Sequence, residues 1–190
     1  HVTGVQTCAL PISTLYRRTL WRSRQWLRSA YVPVFMVPGF AERVLPAWNG
    51  WLLKEMFRRG AAKRDAFTPD LLARYVQAAC QPGRLTGGLN YYRANARLGF
   101  EGLQLPRITA PTLVLWGDRD PALGLNLLDG LSSVVAEPRI EILHGIGHWV
   151  PHEAQDVVTT SLLRFWASVD AKPSLERPPL ATPRATTTDR

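Results

Sequence analysis

Two short apolar runs near the carboxyl end of the chain constrain its fold most strongly. Residues 112–116 read TLVLW and residues 139–143 read RIEIL, and each run lies between a proline and a glycine. Apolar runs of this length between turn-forming residues are typical of buried strands. The stretch 123–135 between them has a helical pattern. The sequence therefore predicts a β-α-β unit with two parallel strands.

Acidic residues and histidines follow these two runs. The first run is followed by GDRDP, which contains Asp118 and Asp120, and the second by HGIGHW, which contains His144 and His148. Catalytic groups of open α/β sheets lie beyond the carboxyl ends of the strands, and an acid followed by a histidine can orient and charge a base. We predict that Asp120 and His148 form this pair. Asp118 is interpreted as a solvent-facing turn carboxylate. His144, which ends a strand, and His152, which begins the final helix, are weaker candidates for the base.

Helical patterns fill most of the remaining chain. Residues 14–28 resemble a basic surface helix, and residues 31–37, which contain Pro33, are extended or short-helical. Thr68 and Pro69 are well suited to the N-cap and the first position of a helix at 69–79. Further helices are predicted at 41–59 (with Pro46 as a candidate break), 86–98 and 154–169.

The composition limits the classes of partner. The chain has 190 residues and a formal net charge of +8, from 23 Lys and Arg against 15 Asp and Glu. Because the arginines are spread along the whole length, they indicate solvated helix faces and no nucleic-acid binding. Cys8 and Cys80 lack a metal-type spacing, and no apolar run approaches the roughly 20 residues that span a bilayer. We predict a soluble, cytoplasmic protein without a membrane partner.

The motifs at the two strand ends resemble those of the α/β-hydrolase family. PTLVLWGDRDPALG is similar to the family's strand, turn and catalytic acid, which falls on Asp120, and GIGHWVPHE is similar to its histidine loop, which falls on His148. Two further motifs resemble the epoxide hydrolases of that family. Tyr31 in AYVPVFMVPG and Tyr92 in LNYYR match two cap tyrosines whose hydroxyls hold the epoxide oxygen, although the VPV after Tyr31 replaces an aromatic-rich tract.

The resemblance implies a two-step reaction on a small apolar epoxide. An aspartate on a sharp strand-to-helix turn attacks an epoxide carbon while Tyr31 and Tyr92 hold the oxygen, which gives an alkyl-enzyme ester. His148, oriented by Asp120, then activates the water that hydrolyses the ester to a diol. The implied reaction uses no metal and no organic cofactor.

The resemblance also implies a division of the chain. We expect an α/β fold that is part of an α/β-hydrolase: a helical cap region at 14–105, followed by the last two strands and helices of the parallel sheet at 106–169. Residues 1–13 show no amphipathic period and are interpreted as a non-native leader. Residues 170–190, rich in Pro, Thr and Arg, are expected to be disordered.

Two motifs that the family pattern requires are absent from the sequence. It contains neither a Gly-x-Asp-x-Gly nor a Gly-x-Ser-x-Gly elbow, and no oxyanion loop of the His-Gly-x-Pro type. We therefore expect a fragment of an epoxide hydrolase that is inactive by itself.

Other functions remain open at this point. A haloalkane or fluoroacetate dehalogenase fragment would use the same acid and histidine, with halide-binding groups in the cap, for which Trp26, Trp48 and Trp51 are available. A free-standing noncatalytic domain would bind a partner through an exposed sheet edge. A serine esterase is less favoured, because its cap does not need the tyrosine pair.

Overall fold

The computed structural model describes residues 25–100 and 107–170 of the chain. The predicted leader at 1–13, the first part of the basic helix predicted at 14–28 and residues 171–190 of the predicted tail lie outside the described residues. The predicted boundary between the cap region and the sheet region, at residues 105 and 106, also lies outside them.

The two predicted strands are present and parallel. Strand β1 covers Thr112–Gly117 and strand β2 covers Pro138–Leu143, and they pair from Thr112 opposite Pro138 to Gly117 opposite Leu143. A parallel bridge between Ile108 and Val135 precedes this ladder. Because parallel strands end at the same edge, the loops after β1 and β2 leave the sheet side by side.

The helix predicted at 123–135 is wrong. The connection consists of two 3₁₀ turns, Leu125–Leu127 and Leu131–Ser133, separated at Gly130, whose φ of 80° ends any helix. The apolar side chains that produced the helical pattern are nevertheless buried against β1, because the two turns also direct every fourth side chain toward the sheet. They are Leu123, Leu127, Leu131 and Val135, which pack with Val114 and Trp116.

Six helices precede the sheet in the described residues. Helices α1 to α6 cover Gln25–Arg28, Val32–Met36, Phe40–Val44, Ala47–Gly60, Pro69–Ala79 and Arg84–Phe100, with a 3₁₀ turn at Arg64–Ala66. Thr68 Oγ1 accepts a hydrogen bond from Leu71 N at 3.3 Å, so the predicted N-cap of α5 is confirmed. The helix predicted at 41–59 is divided at Pro46 into α3 and α4, because proline has no amide proton to continue the ladder. It is interrupted a second time inside α4, where Trp48, Asn49 and Gly50 have left-handed backbone angles.

Two apolar clusters hold these helices together. The first joins α2, α3 and α6 through the buried side chains of Phe35, Ala41, Leu45 and Leu89. The second lies between α4 and α5 and contains Ala61, Phe67 and Leu72, with Phe57, Tyr75 and Trp149 packed against them. Full burial of one Leu or Phe side chain stabilises a fold by roughly 1.5–3 kcal/mol. Since Trp149 follows β2, the second cluster attaches the helical region to the loop after that strand.

Up to residue 170, where the described residues end, two helices follow β2: α7 (Val150–Glu153) and α8 (Gln155–Asp170). Helix α8 confirms the helix predicted at 154–169. The expectation that the second apolar run forms a buried strand is wrong, because Ile140 and Ile142 of β2 are 40% and 42% exposed. In the described part of the chain the sheet has two strands, which leaves part of its apolar surface uncovered.

Candidate active site

The structure brings Asp120 and His148 together beyond the carboxyl ends of β1 and β2. Asp120 Oδ2 and His148 Nδ1 are 2.8 Å apart, and the two side chains are 6% and 23% exposed. A carboxylate only accepts hydrogen bonds, so Nδ1 carries the proton and Nε2 keeps the lone pair that can take a proton from water. The geometry fits an oriented general base.

Further hydrogen bonds fix the loop that carries Asp120. Its Oδ1 accepts from the backbone N–H groups of Ala122 and Leu123 at 2.7 and 2.8 Å. From α1, Arg28 Nη1 donates to Asp120 O at 2.6 Å, and Gln25 Nε2 donates to Ala122 O at 2.6 Å. Sequence reasoning missed both α1 residues, because they lie 92 and 97 residues from their partners and act on backbone atoms.

The loop that carries His148 lies against the end of α4. His148 N donates to Gly60 O at 2.8 Å, and Trp149 Nε1 donates to Phe57 O at 2.9 Å. The buried carboxylate of Glu153 accepts hydrogen bonds from both chain segments. Sequence reasoning included Glu153 in the histidine motif without giving it a role.

Asp118 and His144 form a second acid–histidine pair. Asp118 Oδ2 and His144 Nδ1 are 3.0 Å apart, and Asp118 Oδ1 accepts from Gly145 N at 2.8 Å. The hydrogen bond from His144, and then that from Gly145, lower the pKa of the Asp118 carboxyl. The His144 side chain is 86% exposed and the Asp118 side chain is 23% exposed, so the imidazole faces solvent while the carboxylate is partly buried in the turn.

The remaining candidates lie elsewhere in the fold. The prediction that His152 begins the final helix is wrong: His152 lies in the short helix α7, which Ala154, with a φ of −141°, separates from α8. Its Nε2 is 2.8 Å from the hydroxyl of Tyr75. The three tryptophans considered for halide binding are all more than half exposed: Trp26, Trp48 and Trp51.

The two predicted cap tyrosines meet in the helical region. The ring centroids of Tyr31 and Tyr92 are 6.4 Å apart with an edge-to-face geometry, and both rings pack on Phe35, at 5.3 and 5.1 Å. Tyr31 is half-buried and Tyr92 is 37% exposed. Two tyrosines that are distant in the sequence therefore contact each other through their rings in the helical region.

An ion pair holds the helix that carries Tyr92. Arg93 Nη1 and Nη2 donate to Glu42 Oε1 and Oε2 at 2.7 and 3.0 Å, and Arg93 Nε donates to Phe35 O at 3.0 Å. The hydrogen bond from Arg93 lowers the pKa of the Glu42 carboxyl to about 2. The arginine of the LNYYR motif thus ties α6 to α2 and α3, the elements next to Tyr31.

Comparison with known proteins identifies relatives of this chain. No family model matches it. Mouse epoxide hydrolase 3 is 33% identical over 143 residues, which is 74% of this chain and 38% of that protein. Epoxide hydrolase A of Mycobacterium tuberculosis is 35% identical over an alignment of 202 positions, which covers 90% of this chain and 62% of that protein. The crystal structure of epoxide hydrolase A from Mycobacterium thermoresistibile has a TM-score of 0.62 at 28% identity, over 72% of this chain and 51% of that one.

With the parallel strands and the loops that follow them, these similarities define the class of fold: the chain has part of the α/β-hydrolase fold. Within it, the similarity is to epoxide hydrolases, which confirms the resemblance seen in the motifs. The chain spans between 38% and 49% of the length of several curated relatives. The structure accordingly contains part of the fold, with the helical region and a two-stranded parallel sheet.

Proposed function

We propose that the chain supplies the general base, its orienting acid and the oxygen-binding tyrosines of an epoxide-hydrolysing site. The observation that carries the proposal is the 2.8 Å contact between Asp120 Oδ2 and His148 Nδ1, in which both side chains are largely withdrawn from solvent. The pairing of Tyr31 with Tyr92 supports an epoxide, because ring opening leaves an alkoxide that needs hydrogen-bond donors. The similarity to epoxide hydrolases supports the same substrate class.

The proposed reaction has two steps. A carboxylate oxygen of an aspartate nucleophile bonds to an epoxide carbon as the carbon–oxygen bond of the ring breaks, and Tyr31 or Tyr92 gives the ring oxygen its proton. His148 Nε2 then takes a proton from water, whose oxygen attacks the ester carbonyl, while Asp120 stabilises the imidazolium. The imidazolium protonates the departing alkoxide, which leaves as the diol, and the proton of the acid that forms returns to the tyrosinate.

The nucleophile of this reaction does not come from the 190 residues of the chain. They contain no Gly-x-Asp-x-Gly elbow. We therefore propose that the chain forms no diol by itself, and that it acts together with a polypeptide segment that carries the elbow.

A small apolar epoxide as substrate and a cytoplasmic location complete the proposal. The helices of residues 25–100 and 107–170 are all too short or too polar to cross a membrane. The basic residues are assigned to solvated surfaces, without a nucleic-acid partner.

The test is an assay of diol formation from styrene oxide with two preparations. The first is the chain alone. The second is a chimera, in which the segment of the M. tuberculosis relative that precedes its match to this chain is placed ahead of the chain. The family pattern puts the elbow in that preceding segment. We expect no diol above the buffer rate from the chain and clear diol formation by the chimera.

Histidine variants of the chimera separate the two candidate bases. We expect His148→Gln to lose roughly 10³-fold or more in turnover, and His144→Gln to retain it. The opposite pattern would refute the assignment of the base. Diol formation by the chain alone would refute the need for an external nucleophile. A chimera that folds, by circular dichroism, and forms no diol would refute the proposed reaction.

A further inference from the structure

Glu153 is a buried carboxylate to which the proposed reaction gives no role. It is 5% exposed. Its Oε2 accepts hydrogen bonds from the N–H groups of Ala62, Lys63 and Gly147 at 2.8, 2.9 and 2.9 Å, and its Oε1 accepts from Trp149 N at 3.1 Å. Hydrogen bonds to an ionised acceptor are stronger than neutral ones, so these N–H groups compensate much of the cost of burying the charge.

These hydrogen bonds join two distant segments of the chain. Two of the donors lie in the loop after α4, 91 and 90 residues before Glu153. The other two, Gly147 and Trp149, lie on either side of His148, whose own N–H donates to Gly60 O at 2.8 Å. The backbone around the proposed base is therefore hydrogen-bonded at three consecutive amides, those of residues 147 to 149. The Glu153 carboxylate accepts from the first and the last of them.

We propose that Glu153 is a positioning residue, which holds the backbone around His148 so that the imidazole meets Asp120, and which couples this alignment to the helical region. The inference rests on the proposed function, since the alignment matters for catalysis only if His148 is the base.

The hydrogen bonds at this position favour an ionised carboxylate over an amide. An ionised carboxylate accepts hydrogen bonds at both oxygens, whereas the amide of a glutamine has one acceptor and one NH₂ group. In Glu153→Gln the NH₂ group must face at least one backbone N–H, and the remaining hydrogen bonds lose the assistance of the charge. The substitution therefore keeps the shape of the side chain, loses at least one hydrogen bond and weakens the others.

NMR spectroscopy of the full chain, labelled with ¹⁵N and ¹³C, tests the inference independently of any activity. In the unchanged chain, couplings across hydrogen bonds from the amide nitrogens of Ala62, Lys63 and Gly147 to Glu153 Cδ report the contacts directly. The Nδ1 proton of His148, hydrogen-bonded to Asp120, gives a downfield imidazole signal that reports the alignment.

In Glu153→Gln we expect this downfield signal to disappear, and the amides of Gly147 and Trp149 to exchange with solvent roughly ten- to hundredfold faster. Glu141→Gln is the matched control, because Glu141 Oε2 on β2 accepts from Ser161 Oγ at 2.6 Å, away from the histidine loop. The control should leave the signal and both exchange rates unchanged.

An unchanged His148 signal in folded Glu153→Gln would overturn the inference, as would the absence of the couplings to Glu153 Cδ in the unchanged chain. If Glu153→Gln does not fold, Glu153→Asp decides, because it keeps the charge and shortens the reach by one methylene. In Glu153→Asp the exchange rates of the Gly147 and Trp149 amides should lie between those of the unchanged chain and those of an unprotected loop. Rates identical to those of the unchanged chain would contradict the inference. A chimera that forms no diol would leave these signals in place, so the two proposals fail separately.

Discussion

Gly147 lies where the histidine loop approaches the end of α4, and one added methyl group tests that approach. A Cβ at Gly147 would lie 2.5 Å from Gly60 O, 2.6 Å from Ala62 N and 2.9 Å from Glu153 Oε1. Two of these neighbours are backbone atoms, which cannot rotate away as the end of a flexible side chain can. In Gly147→Ala the loop and α4 must therefore move apart.

The cost of this movement follows from the contacts that it disturbs. Overpacking of a close-packed site costs about 1–3 kcal/mol. The movement also stretches the hydrogen bond from His148 N to Gly60 O, now 2.8 Å, and such a bond contributes about 1 kcal/mol. We expect Gly147→Ala to lower the free energy of unfolding by about 2–4 kcal/mol, measured by urea denaturation with tryptophan fluorescence as the signal.

Gly88→Ala is the matched control for this prediction. Gly88 lies in the exposed part of α6, and a Cβ there would meet no atom within 4 Å. Alanine in a helix interior is more favourable than glycine by about 1 kcal/mol, so Gly88→Ala should raise the free energy of unfolding. A Gly147→Ala variant as stable as the unchanged chain, beside a stabilised Gly88→Ala, would refute the close approach of the histidine loop to α4.

Three further predictions concern the Glu42–Arg93 ion pair, the loop that carries Asp120 (the acid loop) and the choice of Asp120 as the acid that orients His148. Because Arg93 lowers the pKa of Glu42 from 4.5 to about 2, the stability that this carboxylate contributes should be complete above pH 4.5 and be lost as the pH falls through about 2. Urea denaturation at decreasing pH measures this loss, and an equal loss in Glu42→Gln would contradict it. Gln25→Leu removes the partners of two backbone groups in the acid loop, at 2.6 and 3.1 Å, and should lower the free energy of unfolding by about 2–4 kcal/mol, whereas an unchanged urea midpoint would count against it. In the chimera, Asp120→Asn should slow diol formation by roughly 10³- to 10⁴-fold, and Asp118→Asn should leave the rate near that of the unchanged chimera. Equal effects of the two substitutions would refute the assignment of Asp120 as the orienting acid.

The strands and the proximity of Asp120 to His148 could be predicted from the sequence, because both depend on short-range patterns. Residues 113–116 form a continuous apolar run and residues 139–143 alternate between charged and apolar side chains, and each stretch has a proline before it and a glycine after it. Once the strands are parallel, their carboxyl ends share one edge, and the residues that follow them become neighbours. The N-cap at Thr68 was predictable for the same reason, since a cap and its helix are adjacent in sequence.

The connection between the strands was not predictable from periodicity. Leu123, Leu127, Leu131 and Val135 recur every four residues, as on a helix, and all four are buried. Two 3₁₀ turns separated at Gly130 bury the same positions. The pattern therefore reports which side chains face the sheet, and it does not distinguish between the backbones that can present them.

The contacts of Gln25 and Glu153 could not be predicted from the sequence, because their partners are backbone groups. A backbone N–H or C=O has no side-chain identity, so no residue type in the partner segment marks it. The Asp118–His144 contact was missed for another reason: each residue was assessed against the predicted base and acid, and the turn at Gly145 that brings them together depends on the tertiary structure.

The intact mass of the His148→Gln chimera after brief exposure to styrene oxide tests the central claim most directly. If His148 activates the water of the second step, its loss blocks hydrolysis of the ester and leaves formation of the ester intact. The mass should then rise by that of one epoxide per chain, while the unchanged chimera accumulates little adduct. Absence of the adduct in a folded His148→Gln chimera, or an adduct that is hydrolysed as fast as in the unchanged chimera, would contradict the assignment of His148 as the base.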